Sequence, residues 1–439
     1  MRRFPVSSLL LPFLIVTCGL IAITPCLMAG VPATAPVVEE GSHDPVALMW
    51  GRVQLGQVKL DVSGEKAFLA SVLRELKIPQ ASQVLVFSKT SLQNAHISPR
   101  TPRAVYFNEE CYVGWVQGGV LELIGMDGVR GPQFYTLTNG ALSGERPELG
   151  RSEQCFSCHE GSRTSGVKGV LVRSVYADAS GQPQLQDGSF LSTHESPLAE
   201  RWGGWYVTGR HGTDFHMGNS IATTEGRTLQ LDRKAGANVL NLSSYFDIHP
   251  YLTASSDLVA LMVLEHQCTM HNLLTAANEN CRQAMARQRD FQKAFNEPVT
   301  AEPQGSALGV FNSHVEKLLK HLLFCGEYEL KDNGVEGGVA FQDAFRSNRR
   351  ETREGRSLKD FQLRTRLFKD RCSYMIYSSS FEALPAQLKT MLYTRLHAVL
   401  TGTETSPQFA YLSQSERGNI LGILRETKQD LPAVYQGGR

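Results

Sequence analysis

The chain has 439 residues, and its 44 basic and 43 acidic side chains leave a formal net charge of only +1. A nearly neutral chain without a basic face is not expected to bind nucleic acid. The length exceeds that of one average domain, so two or three packed units are expected.

The N-terminus has the layout of a secretory signal peptide. Arg2 and Arg3 precede an apolar run over 9–23, and small residues follow at 29–33. Because this apolar core is short for a membrane helix, residues 1–33 are predicted to be a signal peptide, with a retained N-terminal anchor as the alternative. The mature protein is then periplasmic or secreted, without an integral membrane span. Residues 34–62 are predicted to be a lead segment.

A β-rich region is predicted over 63–250. It opens with a helix over 64–76, and short apolar runs bounded by Gly, Pro and Asn then indicate strands of an antiparallel sheet. These strands are predicted at 83–88, 103–108, 111–116, 120–125, 133–138, 169–177 and 203–209.

The remaining part, 251–439, is predicted to be α-helical. Ser256 and Asp257 offer N-caps to a helix running from Leu258 to about Phe295. Further helices are predicted over 308–324, 386–400 and 413–427. The fold class is therefore predicted to be α+β, with an N-terminal antiparallel β-rich region followed by a mainly helical C-terminal region.

The stretch EQCFSCHEG at 153–161 contains the candidate cofactor-binding motif of the chain. Cys155, Cys158 and His159 form a Cys-x-x-Cys-His motif, which binds haem through two thioether bonds and a histidine ligand to iron. A zinc site would need two further ligands at similar spacing, and no second Cys-x-x-Cys exists. A redox dithiol would need a thioredoxin-like βαβ setting. The motif therefore predicts one covalently bound haem c per chain, carried by the β-rich region.

The second axial position of the iron has several candidates. His216 is the preferred distal ligand, and its neighbour Met217 is an alternative in the same Gly-rich loop. His266, next to Glu265 on the long predicted helix, is another alternative. His271 points about 140° away from His266, so the two cannot ligate one iron. An open position remains possible.

Weaker candidates surround the motif. The loop residue His194 lies near Trp202 and Trp205, which could line a haem pocket, although buried core aromatics are the more frequent outcome. Arg100 and Arg103 could pair with haem propionates, although a solvated loop is the commoner role for such residues.

Five cysteines remain outside the motif and the predicted signal peptide. Cys325 and Cys372 are predicted to form a disulfide. Cys268 and Cys281 lie thirteen residues apart on one predicted helix, about 20 Å along its axis, and so cannot pair unless the helix breaks. No partner is predicted for Cys111.

Several blocks of sequence resemble a family of exported bacterial proteins that carry one cytochrome c domain signature. The blocks are CFSCHEGSRTSGV, SPLAERWGGWYVTGRHG, FHMGN, SDLVALMVLEHQCTMHN and RCSYMIYSSSFEALP, and the resemblance covers about residues 80 to 430. It implies haem c at Cys155, Cys158 and His159.

The sequence thus favours an exported monohaem c-type cytochrome that exchanges electrons with a redox partner protein. One alternative is a haem enzyme with an open distal site, of peroxidase-like chemistry, served by His216, His266 or Glu265 as acid or base. Another is a haem-based ligand sensor.

Overall fold

A seven-stranded antiparallel sheet occupies the N-terminal half of the protein. The computed structural model describes residues 38, 41–140, 146–151, 153–225 and 228–436, so the predicted signal peptide lies outside the described residues. The strands of this sheet are β1 (Val84–Val86), β2 (Arg103–Phe107), β3 (Cys111–Trp115), β4 (Leu121–Asp127), β5 (Gly131–Thr138), β6 (Glu148–Gly150) and β9 (Trp205–Tyr206). Their order across the sheet is β6-β5-β4-β3-β2-β1-β9. Two smaller hairpins pair β7 (Arg173–Val175) with β8 (Ser189–Leu191) and β10 (Ala222–Glu225) with β11 (Thr228–Leu231).

Both faces of the large sheet are covered. Side chains alternate across a strand, so Ala104 and Tyr106 of β2 enter one hydrophobic core while Val105 and Phe107 enter the other. Helices α1 (Pro45–Gln54) and α2 (Glu65–Glu75) contribute to the first core. The long helix α4 (Leu258–Ala294) contributes to the second.

Helix α1 lies inside the segment predicted to be a lead. Asp44 caps its N-terminus by accepting hydrogen bonds from the backbone N–H groups of Val46 and Ala47. The side chains of Val46, Met49 and Trp50 are buried. This part of the predicted lead segment therefore belongs to the folded core.

The predicted α+β class is confirmed. The long helix predicted from Leu258 to about Phe295 is α4, and Asp257 caps it through the backbone N–H of Ala260. The other helices are α3 (Phe156–His159), α5 (Gly305–Leu322), α6 (Val339–Arg346), α7 (Ser379–Glu382), α8 (Ala386–Thr401) and α9 (Gln414–Thr427). None of the described helices combines the length and the apolar composition needed to cross a membrane.

Helix α4 joins the sheet to the C-terminal helices. Its side chains share one core with Val105 of β2 and Tyr112 of β3, and with Leu318 of α5, Leu388 of α8 and Ile420 of α9. The β-rich and helical regions are thus packed on a common core.

Cys111, Cys268, Cys281, Cys325 and Cys372 are free thiols, so the predicted disulfide between Cys325 and Cys372 is wrong. The Cys325 thiol, three residues after α5, donates to the carbonyl of Gln408 at 3.4 Å, while Cys372 is wholly buried elsewhere in the core. Cys268 and Cys281 lie on the unbroken helix α4, as expected, and do not pair.

Candidate haem site and a buried histidine cluster

The haem motif lies in the connection between β6 and β7. A single helical turn over 153–155 leads into α3, which carries Cys158 and ends at His159. Cys155 is partly buried, whereas the neighbouring side chains of Gln154, Ser157 and Glu160 are exposed. The motif is therefore at the surface of the protein.

His159 is held in one orientation by its backbone surroundings. Its Nδ1 lies 2.8 Å from the carbonyl oxygen of Gly169, and because a carbonyl only accepts, Nδ1 carries the proton. The Nε2 lone pair is then left for a metal. Phe134 packs against the imidazole with ring centroids 4.9 Å apart, and burial lowers the pKa of His159, which favours the neutral form needed for ligation.

The loop after the motif is fastened to α4. Asn272 accepts a hydrogen bond from the Val170 N–H at 2.8 Å and donates to the Val170 carbonyl at 2.7 Å. A Cβ added to Gly169 would lie 2.4 Å from Oδ1 of Asn272, so only glycine allows this close approach. Asn272 thereby fixes the backbone segment whose carbonyl orients His159.

An ion pair lies on the sheet close to the motif. Arg103 of β2 pairs with Glu122 of β4, and both charges act on the titration of His159. Since Arg103 already has this carboxylate partner, haem propionates would have to compete for it.

The preferred distal candidate, His216, and the alternative Met217 are buried beside Trp202. The Met217 sulfur accepts a hydrogen bond from the Ser174 hydroxyl at 3.6 Å. The His216 ring contacts Trp202 and His211, with centroids 5.3 and 4.5 Å away. Its buried Nδ1 has no hydrogen-bond partner in the described part of the chain, and burial lowers its pKa to about 3.

The third candidate, His266, has both ring nitrogens engaged. Nδ1 lies 3.0 Å from Nδ1 of His194, and Nε2 lies 2.7 Å from the Ser373 hydroxyl. Asn272, which contacts the haem-motif loop, is six residues further along α4, about 9 Å by helical rise. Across the residues that the structure describes, none of the three distal candidates is a hydrogen-bond or ring partner of His159.

His266 belongs to a buried histidine cluster with His194 and His321. One ring nitrogen of each lies within 4.8 Å of those of the other two, and all three side chains are buried. His321 is on α5 and stacks on His266 with the ring planes 7° apart. This cluster could not be predicted from the sequence, because its members are brought together only by tertiary contacts.

A buried charged network adjoins the histidine cluster. Glu265 accepts hydrogen bonds from the Arg201 guanidinium and, at 3.2 Å, from the Trp202 indole N–H. Arg201 also donates to the carbonyl of His194 at 3.0 Å. Burial raises the pKa of Glu265 to about 7, against the opposing effects of Arg201 and Trp202. Trp202 is thus a core residue that helps to hold this carboxylate.

The comparisons with known proteins give no relative. No protein-family model matches the chain, and neither a curated protein nor a solved structure matches it.

The buried histidines predict acid sensitivity. Burial lowers the pKa of His271 to about 3, well below 6.5, so the unfolded chain binds a proton that the folded protein does not. This residue should therefore cost about 1.4 kcal/mol of unfolding free energy per pH unit as the pH falls from about 6 to 4. Urea unfolding at pH 7, 6, 5 and 4 measures this slope.

The matched comparison uses an exposed histidine. His271→Gln should flatten the pH dependence below pH 6 by about one proton. The matched variant is His96→Gln, at an exposed side chain. Equal slopes in the wild type and His271→Gln would contradict the assignment.

Proposed function

We propose that the protein is a monohaem c-type cytochrome that transfers electrons through a haem bound covalently by Cys155 and Cys158, with His159 as proximal iron ligand. The observation that carries the proposal is the hydrogen bond from His159 Nδ1 to the Gly169 carbonyl. Proximal histidines characteristically donate their second nitrogen in this way, which fixes the tautomer and the ring orientation. The bound haem would supply a one-electron iron couple.

The surface position of the motif supports exchange with a redox partner protein. The exposed side chains of Gln154, Ser157 and Glu160 surround the attachment residues. A group attached there would have an edge near solvent, within reach of a docked protein. The proposed location is the periplasm or the exterior, following the signal peptide and the resemblance to exported haem proteins.

The free thiols are compatible with an oxidising compartment. Cys111, Cys268, Cys281 and Cys372 are buried, and burial raises the pKa of each thiol. Protonated, inaccessible thiols oxidise slowly. Export therefore does not require them to form disulfides.

A second candidate function is ligand binding or peroxidase-like catalysis at an open sixth position. It is favoured by one observation: two of the three distal candidates already have hydrogen-bond partners. The Met217 sulfur accepts from Ser174, and the two ring nitrogens of His266 contact His194 and Ser373. Of the three distal candidates, His216 alone keeps a buried ring nitrogen without a hydrogen-bond partner in the described part of the chain. Ligation by His216 would require its loop to leave Trp202 and His211.

The visible spectrum of the purified protein tests the proposal. An electron-transfer site should give a low-spin spectrum, in both oxidation states, that carbon monoxide does not change. A high-spin spectrum with rapid carbon monoxide binding would contradict electron transfer through six-coordinate iron and support the open-site alternative.

The sixth ligand is tested by substitution. His216→Ala should convert low-spin iron to high-spin iron and admit carbon monoxide, because the proposed distal nitrogen is lost. His249→Ala, at an exposed histidine, is the control and should keep the wild-type spectrum. An unchanged spectrum in His216→Ala would move the assignment to Met217 or His266.

A further inference from the structure

We propose that His194, His266 and His321 form a second metal site, separate from the haem iron, that binds one divalent transition-metal ion such as Zn²⁺ or Cu²⁺. Three imidazoles are the donor set that such borderline ions prefer. Three protein ligands also leave a fourth coordination position for water or another small ligand.

The spacing of the ring nitrogens suits a common ion. Nδ1 of His194 and Nδ1 of His266 are 3.0 Å apart. Two nitrogens bound to one tetrahedral zinc at the usual bond length are about 3.3 Å apart. The candidate donor atoms of all three rings lie within 4.8 Å of one another, so the third ring, His321, would have to move closer to complete the set.

One buried nitrogen of the cluster has no hydrogen-bond partner within the described ranges: Nε2 of His194, whose side chain is only 3% exposed. Without an ion, the Nδ1···Nδ1 contact forces one of the two rings to carry its proton on Nδ1. An ion between the rings would replace that contact by two metal–nitrogen bonds. It would also place the proton of His194 on Nε2, which lies 3.8 Å from the Glu195 carboxylate, beyond hydrogen-bond distance.

The other two histidines already have the outer contacts typical of metal ligands. Nε2 of His266 is hydrogen-bonded to the Ser373 hydroxyl, and Nε2 of His321 donates to the His266 carbonyl at 3.2 Å. Both contacts leave Nδ1 as the donor atom. Because His321 stacks on His266 with the ring planes 7° apart, the His321 ring would have to turn to direct its in-plane lone pair at a shared ion.

The site would connect three separate parts of the chain. His194 lies in the loop after β8, His266 on α4 and His321 on α5, with 72 and 55 residues separating His266 from the other two. A bound ion would cross-link loop and helices in the folded state only. It would also remove His266 from the candidates for the haem iron.

The test is metal binding by the full-length protein with its haem, since covalent haem iron survives chelator treatment. After dialysis against EDTA and then buffer, Zn²⁺ titration by calorimetry should show one ion per chain, and Zn²⁺ should raise the melting temperature. Elemental analysis should find that ion in addition to the haem iron. Absence of stoichiometric Zn²⁺ and Cu²⁺ binding would overturn the proposal.

Substitutions locate the ion. His194→Gln and His321→Gln should each weaken Zn²⁺ binding by at least about 100-fold, because loss of an outer contact alone costs about 10- to 100-fold. The control is His314→Gln, at the other buried histidine of α5, which contacts Asn280 and should bind Zn²⁺ like the wild type.

A milder variant covers the case in which a histidine variant does not fold. Ser373→Ala removes only the outer hydrogen bond to His266 and should weaken Zn²⁺ binding by about 10- to 100-fold. Wild-type affinity in folded His194→Gln or His321→Gln, or in Ser373→Ala when those variants are unfolded, would place the ion elsewhere and overturn the proposal.

Discussion

Replacing both Cys155 and Cys158 by serine should reduce the haem retained in a denaturing gel from one per chain to none. The two thioether bonds are the only covalent links that a Cys-x-x-Cys-His motif makes, and a serine hydroxyl does not replace the thiol in them. His159 alone would leave, at most, a coordinate bond that denaturation breaks. Haem staining of the gel and the intact mass of the chain both measure the loss.

The control for this experiment is Cys325→Ser. Cys325 is also a partly buried thiol, but it donates to the Gln408 carbonyl and lies outside the motif. This variant should keep its covalent haem and its spectrum. Covalent haem persisting after loss of Cys155 and Cys158 would remove the basis of the proposed function.

The second large effect is expected at the buried pair of Arg201 and Glu265. Both side chains are at most 2% exposed, and the carboxylate is further held by the Trp202 indole. Arg201→Met would leave a buried carboxylate without its cation, which typically costs about 3–5 kcal/mol of unfolding free energy. Urea unfolding monitored by circular dichroism at pH 8 measures the change. Loss of Arg201, which lowers the pKa of Glu265, should also raise that pKa above its wild-type value of about 7.

Two comparisons separate an ion-pair effect from lost packing. Arg201→Met combined with Glu265→Leu should be less destabilising than Arg201→Met alone, because the double variant leaves no unpaired charge. Arg210→Met, in an ion pair whose side chains are 59% and 77% exposed, should have no measurable effect. A double variant at least as unstable as Arg201→Met would contradict the electrostatic explanation.

Most of the fold followed from local patterns. The strands β2 to β5 were predicted because short β-branched and aromatic runs are bounded by turn residues. The helix α4 was predicted because Asp257 precedes a long stretch without Pro or Gly. Helix α1 was missed because its ten residues follow a Pro- and Ala-rich stretch. Its burial also depends on a sheet whose strands come later in the sequence.

The candidate site was predictable only in its contiguous part. Cys155, Cys158 and His159 form a motif within five residues, so the spacing alone indicates the chemistry. The contact between His159 and Gly169 could not be foreseen, nor could the meeting of His266 with His194 and His321. The predicted disulfide between Cys325 and Cys372 was wrong for the same reason, because positions in the sequence do not show which thiols meet in the fold.

The pairing of β1 with β9 has a consequence for the order of folding. Leu85 pairs with Tyr206, and the backbone N–H of Leu85 donates to the hydroxyl of Ser256, 171 residues away in sequence. Contacts so distant in sequence form slowly, because a long loop must close before they stabilise anything. Until residues 205–256 are available, β1 remains an open edge at which other chains can add. A nascent or truncated chain that stops before β9 should therefore aggregate, and productive folding should wait for the start of α4.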